Sequence, residues 1–132
     1  MNSQDKSFRL GTTAGKLTPC PQSPNCVSSQ ASDKKHYIKP LQFSDNPDQD
    51  WNKLVTIIQA LAGTTIIEQR ENYLHAECKT RLMGFVDDLE YVWAAADNIC
   101  HVRSASRVGY SDLGKNRRRV EQIRRLFINS SQ

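Results

Sequence analysis

Apolar side chains recur at helical spacing in the first half of the chain. The apolar positions of this stretch are Trp51, Leu54, Val55, Ile58, Leu61 and Ala62. This spacing places them on one face of a helix. Asn46 is a suitable N-cap, Pro47 suits the first helical position, and Gly63 is a typical helix stop. We therefore predict an amphipathic helix that begins near Asn46 and ends before Gly63.

The period then changes to the alternation that is typical of β-strands. Strands are predicted over residues 64–69, 73–80, 82–93 and 99–106, with a short extended segment over residues 36–41. In the second of these strands, Leu74, Ala76 and Cys78 are predicted to face the core. The opposite, polar side of that strand is predicted to carry Tyr73, His75, Glu77 and Lys79. Short turns between successive strands favour an antiparallel meander.

A second amphipathic helix is predicted over residues 116–128, with a narrow stripe of Val120, Ile123 and Phe127. The predicted order is β-α-β-β-β-β-α. Two helices are enough to cover one apolar face of the sheet, so we predict an α+β two-layer sandwich. Residues 1–35 contain Pro but little periodicity, and we expect an irregular arm packed on a single domain over residues 36–130.

Length and composition are those of one modest globular domain. The chain has 132 residues, of which 38% are hydrophobic and 24% are charged. No apolar run approaches the roughly 20 residues of a membrane helix. The first ten residues lack the apolar core of a signal peptide, so we expect a cytoplasmic protein. An extracytoplasmic location would follow if the sequence were a trimmed piece of a longer protein.

Positive charge is concentrated near the C-terminus. Residues 101–132 hold 8 of the 18 Lys and Arg residues but only 2 of the 14 Asp and Glu residues. An acidic partner there would be a phosphate compound, a nucleic acid or an anionic lipid surface, and the alternative is an ordinary solvated basic helix. We do not expect nucleic acid, because only Tyr110 lies nearby as a stacking aromatic.

Three carboxylates lie within one predicted strand. Alternation puts Asp88 and Glu90 on one face and Asp87 on the other. Buried carboxylates must be paired or liganded. The functional interpretation is a general acid/base or a cation site, and the structural interpretation is ion pairing with neighbouring arginines.

The segment RSASRVGYSDLGKNRRR, residues 103–119, is rich in anion-binding groups. Arginine forks, serine hydroxyls and backbone N–H groups near a helix start match phosphates and carboxylates. Arg103 and Arg107 are expected to meet the acidic strand across the hairpin. We predict that these charges gather in one shared cup. The alternative is a salt-bridge network that fixes the helix on the sheet.

Four cysteines allow several roles. Cys20 and Cys26 lie in a Pro-rich loop, where structural thiols, a disulfide or redox pair, and a metal site are all open alternatives. Cys78 and Cys100 fall on apolar strand faces and are predicted to be buried thiols. No spacing indicates a metal site or a cofactor motif, and neither is predicted.

Three motifs carry a resemblance to a known family. They are PCPQSPNCVSSQ at residues 19–30, GFVDD at residues 84–88 and the arginine-rich segment at residues 103–119. In these the chain resembles the bacterial and plastid family called domain of unknown function 1499, over about residues 17–128. The resemblance implies no established activity, cofactor or catalytic residue.

The leading functional hypothesis is a non-catalytic domain that binds an anionic or zwitterionic small molecule. The predicted ligand-binding residues are Asp87, Asp88, Glu90, Arg103, Ser104, Ser106, Arg107, Tyr110, Asp112, Asn116, Arg117 and Arg119. One alternative is an enzyme that uses the acidic strand with Cys20 and Cys26. Another is a protein-binding or nucleic-acid-binding module that uses the basic C-terminal helix.

Overall fold

The structure is a computed structural model, and it describes residues 10–80 and 84–130. Its two helices are α1, Pro47–Ala60, and α2, Lys115–Asn129. The first four strands are short: β1 Thr12–Thr13, β2 Lys16–Leu17, β3 Cys26–Ser28 and β4 Leu41–Gln42. The long strands are β5 Thr64–Gln69, β6 Tyr73–Lys79, β7 Val86–Ala94 and β8 Ile99–Ser106.

The long strands form the predicted antiparallel meander. The order across the sheet is β3-β8-β7-β6-β5, and β4 pairs with a different part of β8 from β3. Every pairing between these strands is antiparallel. Both helices contribute to one core against the sheet, α1 through Leu54 and Ile58 and α2 through Val120 and Ile123. The α+β class is thereby confirmed.

The arm is more ordered than its sequence indicates. β1 and β2 form a small hairpin, and β3 joins the main sheet beside β8. The arm therefore contains three short strands that the sequence did not predict. A strand of three residues is too short for alternation to reveal, and its partner lies far away in the sequence, with Cys26 opposite Ala105.

The second face of the sheet is also partly buried. Tyr73 and His75, predicted to lie on a polar side, are both buried, and Tyr73 packs with Leu17 of the arm and with Val92. The arm supplies this cover, which period-two alternation does not report. The faces of the strand are assigned correctly, but the solvent exposure of one of them is wrong.

Several strands and helices begin or end at one end of the sheet, which we call the loop end. Thr64 at the start of β5 pairs with Cys78, and Asp87 near the start of β7 pairs with Ser106. The loop end therefore collects the β6–β7 and β8–α2 connections, the end of α1 and the start of α2. The predicted strand over 82–93 begins instead at Val86, and residues 81–83 lie outside the described part of the chain.

Glycine is required where α1 leads into β5. Gly63 has a φ of +73°, and a Cβ at this position would lie 2.8 Å from the carbonyl oxygen of Lys79. The helix itself ends at Ala60, so Gly63 opens the turn rather than capping the last helical residue. None of the helices in the described ranges is both long and apolar enough to cross a bilayer.

Candidate functional site

The carboxylates of β7 point to opposite faces of the sheet, as the alternation predicts. Asp87 faces the helices, where its Oδ2 accepts a hydrogen bond from Nη2 of Arg119 at 2.7 Å. Asp88 and Glu90 face the other way and contact His75 and Tyr73 of β6. The acidic strand therefore serves two separate polar clusters.

The helix-side cluster is centred on Asp87, which is fully buried. Besides Arg119, the Nζ of Lys115 lies 3.1 Å from its Oδ2. Nη1 of Arg119 donates to Oδ1 of Asn116 at 2.8 Å and to Oγ of Ser104 at 3.1 Å. These contacts fix the guanidinium in one orientation at the start of α2. The other carboxylate oxygen of Asp87, Oδ1, has no hydrogen-bond partner within the described part of the chain.

Asn116 connects this cluster to the loop before α2. Its side-chain amide donates to Oγ of Ser106 at 3.0 Å, to Oδ2 of Asp112 at 2.8 Å and to the carbonyl oxygen of Asn25 at 3.3 Å. Burial raises the pKa of Asp112, but hydrogen bonds from the backbone and side chain of Asn116 and the backbone of Gly114 outweigh it and lower the pKa. Asp112 and Asn116 therefore hold the loop and the helix start together.

On the opposite face, Arg107 is held by two carboxylates. Its Nε and Nη2 donate to the two oxygens of Asp88, each at 2.8 Å, and Nη2 also donates to Glu77 at 2.7 Å. Nε2 of His75 lies 2.7 Å from Oδ1 of Asp88. Burial raises the pKa of Asp88, but the hydrogen bonds from Arg107 and His75 outweigh this effect and hold the pKa at about 2.

The same cluster has the donor atoms of a metal site. One ligating atom from each of His75, Glu77 and Asp88 lies within 4.8 Å of the other two. The guanidinium of Arg107 bonds both carboxylates of this set, so the cation that the cluster holds is the protein's own arginine. We draw no metal-binding conclusion from it.

Glu90 forms a fully buried polar centre beneath the arm. Its Oε2 accepts hydrogen bonds from the hydroxyl of Tyr73 at 2.5 Å and from the N–H of Gly11 at 2.8 Å. Nη1 of Arg103 lies 3.7 Å from its other oxygen. Burial, the bond to Glu90 and the charge of Glu90 raise the pKa of Tyr73. Burial also lowers the pKa of Arg103, against the opposing effect of Glu90.

The prediction of one shared cup is wrong. The sheet separates Asp87 and Arg119 from the cluster that contains Asp88 and Arg107. Arg103 and Ser104, predicted to contact the ligand, are 1% and 0% exposed. The geometry agrees instead with the alternative interpretation, a network of ion pairs and hydrogen bonds that holds the helix, sheet and loop in place.

Tyr110 and Arg117 lie apart from both clusters. Tyr110 is exposed on the β8–α2 connection. Arg117 donates to the carbonyl oxygens of Tyr37 at 2.9 Å and of Lys35 at 3.1 Å, and so ties α2 to the segment that follows β3.

The structure selects among the alternatives for the cysteines. Cys20 and Cys26 form a disulfide, whereas Cys78 and Cys100 are buried free thiols as predicted. While it is bonded, the pair offers no thiolate that could act as a nucleophile. Disulfides persist mainly in oxidising compartments, and the cytoplasm is a reducing one. The cytoplasmic location stays a prediction.

The sequence did not predict a groove that opens at the loop end. This cavity of about 530 Å³ lies between the end of α1, the end of β6 and the first turns of α2. We call it the basic groove, because the described residues that line it include five cationic side chains and no carboxylate. The cationic residues are Lys79, Lys115, Arg118, Arg119 and Arg125. Of the predicted site residues only Arg119 is among them, and the one signal in the sequence is the positive charge of the C-terminal quarter.

The three sequence motifs lie in three described parts of the fold. Residues 19–30 contain the disulfide loop, residues 84–88 lead into β7, and residues 103–119 contain the β8–α2 connection. A family model described as "Protein of unknown function (DUF1499)" matches residues 16–127, most of the chain. The chain belongs to the DUF1499 family. No curated protein and no solved structure matches it significantly. The function of this DUF1499 protein must therefore be argued from its geometry.

Proposed function

We propose that this DUF1499 protein is a non-catalytic domain that binds an anionic ligand in the basic groove. The observation that supports the proposal is the composition of the lining, with five cations and no acidic side chain. The proposal keeps the ligand class that the sequence indicates but moves the site. The groove cations of α2 and Lys79 would contact the anion directly. The buried polar residues would hold some of these cations in position.

The placement of the cations opposes helix stability. The first turn of α2 contains no acidic residue, while Lys115, Arg118 and Arg119 lie near its N-terminus. The N-terminal end of a helix carries partial positive charge and is stabilised by anions, so cations there are unfavourable. A bound anion would offset both this effect and the repulsion among the arginines.

Two of the groove cations are oriented by the buried carboxylate of Asp87. Asp87 contacts both Lys115 and Arg119, and Ser104 and Asn116 hold the second of these in place. The remaining groove cations have no carboxylate partner within the described ranges; they are Lys79, Arg118 and Arg125. A preorganised pair beside unneutralised cations is suited to a ligand with more than one negative charge.

The groove has no evident catalytic group. Among the described residues of its lining there is neither a carboxylate nor a histidine, the side chains that most often act as general bases. Cys78 lies in the lining, but burial raises the pKa of its thiol and keeps it in the unreactive protonated form. Binding without chemistry is the function that this set of side chains supports best.

The test is a titration of the full chain with inorganic pyrophosphate at low ionic strength, followed by calorimetry and thermal unfolding. A ligand at 100 times its dissociation constant should stabilise the fold by roughly 2.7 kcal/mol. The variant Lys79→Gln/Arg125→Gln removes two exposed groove cations whose side chains have no carboxylate partner within residues 10–80 and 84–130. We expect it to bind about tenfold more weakly.

The matched control is Lys34→Gln/Arg70→Gln, which removes the same charge from exposed positions outside the groove lining. It should bind pyrophosphate nearly as the unmodified protein does. Equal weakening in both variants would reduce the effect to net charge. No binding by the unmodified protein would contradict the proposal.

A further inference from the structure

Large apolar side chains are exposed on the two connections at the loop end. On the β8–α2 connection, Val108 is 57% exposed, Tyr110 71% and Leu113 84%. Phe85, at the end of the β6–β7 connection, is also exposed. Single exposed apolar residues are ordinary, but several at one end of a small domain indicate an interaction surface. We call these four residues the apolar rim.

The connection that carries the rim is held in a defined shape. Oδ1 of Asp112 accepts from the N–H of Gly114 at 2.8 Å, and Oγ of Ser111 accepts from the N–H of Leu113 at 3.3 Å. Leu113 has a φ of +56°, a left-handed conformation that a leucine rarely adopts. Leu113, the most exposed of the large apolar residues that the structure describes, is therefore held against a backbone preference.

Hydrogen bonds join the rim directly to the groove. Nη1 of Arg118 donates to the carbonyl oxygen of Leu113 at 2.7 Å. On the other side of the groove, Thr80 exchanges two hydrogen bonds with the backbone of Phe85, each at 2.9 Å. Arg118 and Thr80 both line the groove. Two residues of the rim, Leu113 and Phe85, are thus bonded directly to residues that line the groove.

We propose that the loop end docks on an anionic membrane surface, with the apolar rim at the boundary between headgroups and acyl chains and lipid phosphates in the basic groove. This inference rests on the proposed function and names the source of the anion. Peripheral membrane proteins combine partly inserted apolar side chains with cations that meet anionic headgroups. Tyrosine and leucine beside lysine and arginine supply both parts.

A small soluble anion would account for the groove but not for the rim. Such a ligand needs only the cations, and it leaves unexplained the exposed Leu113 and Phe85, which are bonded to the groove lining. A lipid bilayer presents negative charge directly above apolar material, which matches the adjacency of groove and rim. This complementarity of charge and polarity favours an anionic lipid surface over a soluble metabolite.

The test is co-sedimentation of the full chain with vesicles of phosphatidylcholine alone and of phosphatidylcholine mixed with phosphatidylglycerol. We expect binding to the mixed vesicles only. Leu113→Asn should weaken it about tenfold, the usual effect of losing one inserted leucine. Asparagine tolerates the left-handed backbone, so this variant should remain folded in a urea titration. The control Ile67→Asn replaces a half-exposed apolar residue of β5 and should bind as the unmodified protein does.

Each outcome separates this inference from the proposed function. Binding of pyrophosphate without binding of mixed vesicles would overturn the membrane inference and leave the groove as a site for soluble anions. Binding of neither would end both proposals. Equal binding by Leu113→Asn and the unmodified protein, or equal binding to both kinds of vesicle, would also overturn docking through the rim and the groove.

Discussion

Asp88 should make the protein sensitive to acid in a defined pH range. Its carboxyl pKa falls from 3.8 to about 2 in the folded state. One pKa unit corresponds to about 1.4 kcal/mol, so ionised Asp88 contributes about 2 kcal/mol to the free energy of unfolding at neutral pH. Because the folded pKa is the lower one, this contribution is present above pH 4. It is lost as the pH falls from about 4 to about 2.

The variant Asp88→Asn isolates this effect. Its amide cannot ionise, and because it has a single acceptor oxygen it keeps at most one of the two bonds that Arg107 donates to the carboxylate. Near pH 7 the variant should be less stable than the unmodified protein by at least about 2 kcal/mol, and the difference should shrink by that amount between pH 4 and pH 2. Urea unfolding at a series of pH values, followed by the fluorescence of Trp51 and Trp93, measures both quantities.

The control for this experiment is Glu68→Gln. Glu68 pairs with Arg70 at 2.8 Å, but both side chains are about half exposed. Exposed pairs contribute less than about 1 kcal/mol, so this variant should follow the pH dependence of the unmodified protein closely. A constant stability difference between Asp88→Asn and the unmodified protein from pH 7 to pH 2 would refute the reasoning.

Three further predictions concern stability. Reduction of the Cys20–Cys26 disulfide should lower the free energy of unfolding by about 2 kcal/mol, the value for a short closed loop, and thiol titration of the denatured chain should then give four thiols rather than two. Gly63→Ala should cost about 2 kcal/mol or more and Gly15→Ala about 1, because both have positive φ but only the first meets a carbonyl oxygen; urea unfolding compares them. Tyr91→Phe removes a buried hydroxyl that has no partner in the described chain, so the melting temperature should stay unchanged or rise; a clear fall would contradict this.

Local patterns predicted the elements well because local forces determine them. The helix that begins at Pro47 has its N-cap in Asn46, whose side chain accepts from the N–H of Gln49 at 3.4 Å. The β-branched run Thr64–Gln69 and the alternating run after it form strands at the predicted positions. In each case the information lies within a few residues of the element that it specifies.

The parts that the sequence did not predict depend on distant contacts. Burial of Tyr73 and His75 comes from cover by other segments, among them Leu17 of the arm, more than 50 residues away. The position of the groove depends on how α1, β6 and α2 meet, and Lys79 and Arg125 gave no local signal of sharing it. Alternation along the strand had already placed Asp87 on the opposite face of the sheet from Asp88 and Glu90. The prediction of one shared cup was wrong because it ignored that separation.

The division between buried network and open groove explains why only part of the arginine-rich motif, namely Lys115, Arg118 and Arg119, lines the proposed binding surface. Arg103, Ser104 and Asn116 are buried. Ser104 donates a hydrogen bond to Asn116, and Arg103 lies 3.7 Å from Glu90, so a ligand would have to displace internal contacts. Lys79 and Arg125 are exposed and have no such partners, so an anion can meet them at little structural cost. The buried residues of the motif fix the start of α2. This determines where the exposed groove cations lie. Loss of a buried network residue should therefore mainly lower the free energy of unfolding. Loss of Lys79 or Arg125 should reduce anion binding alone.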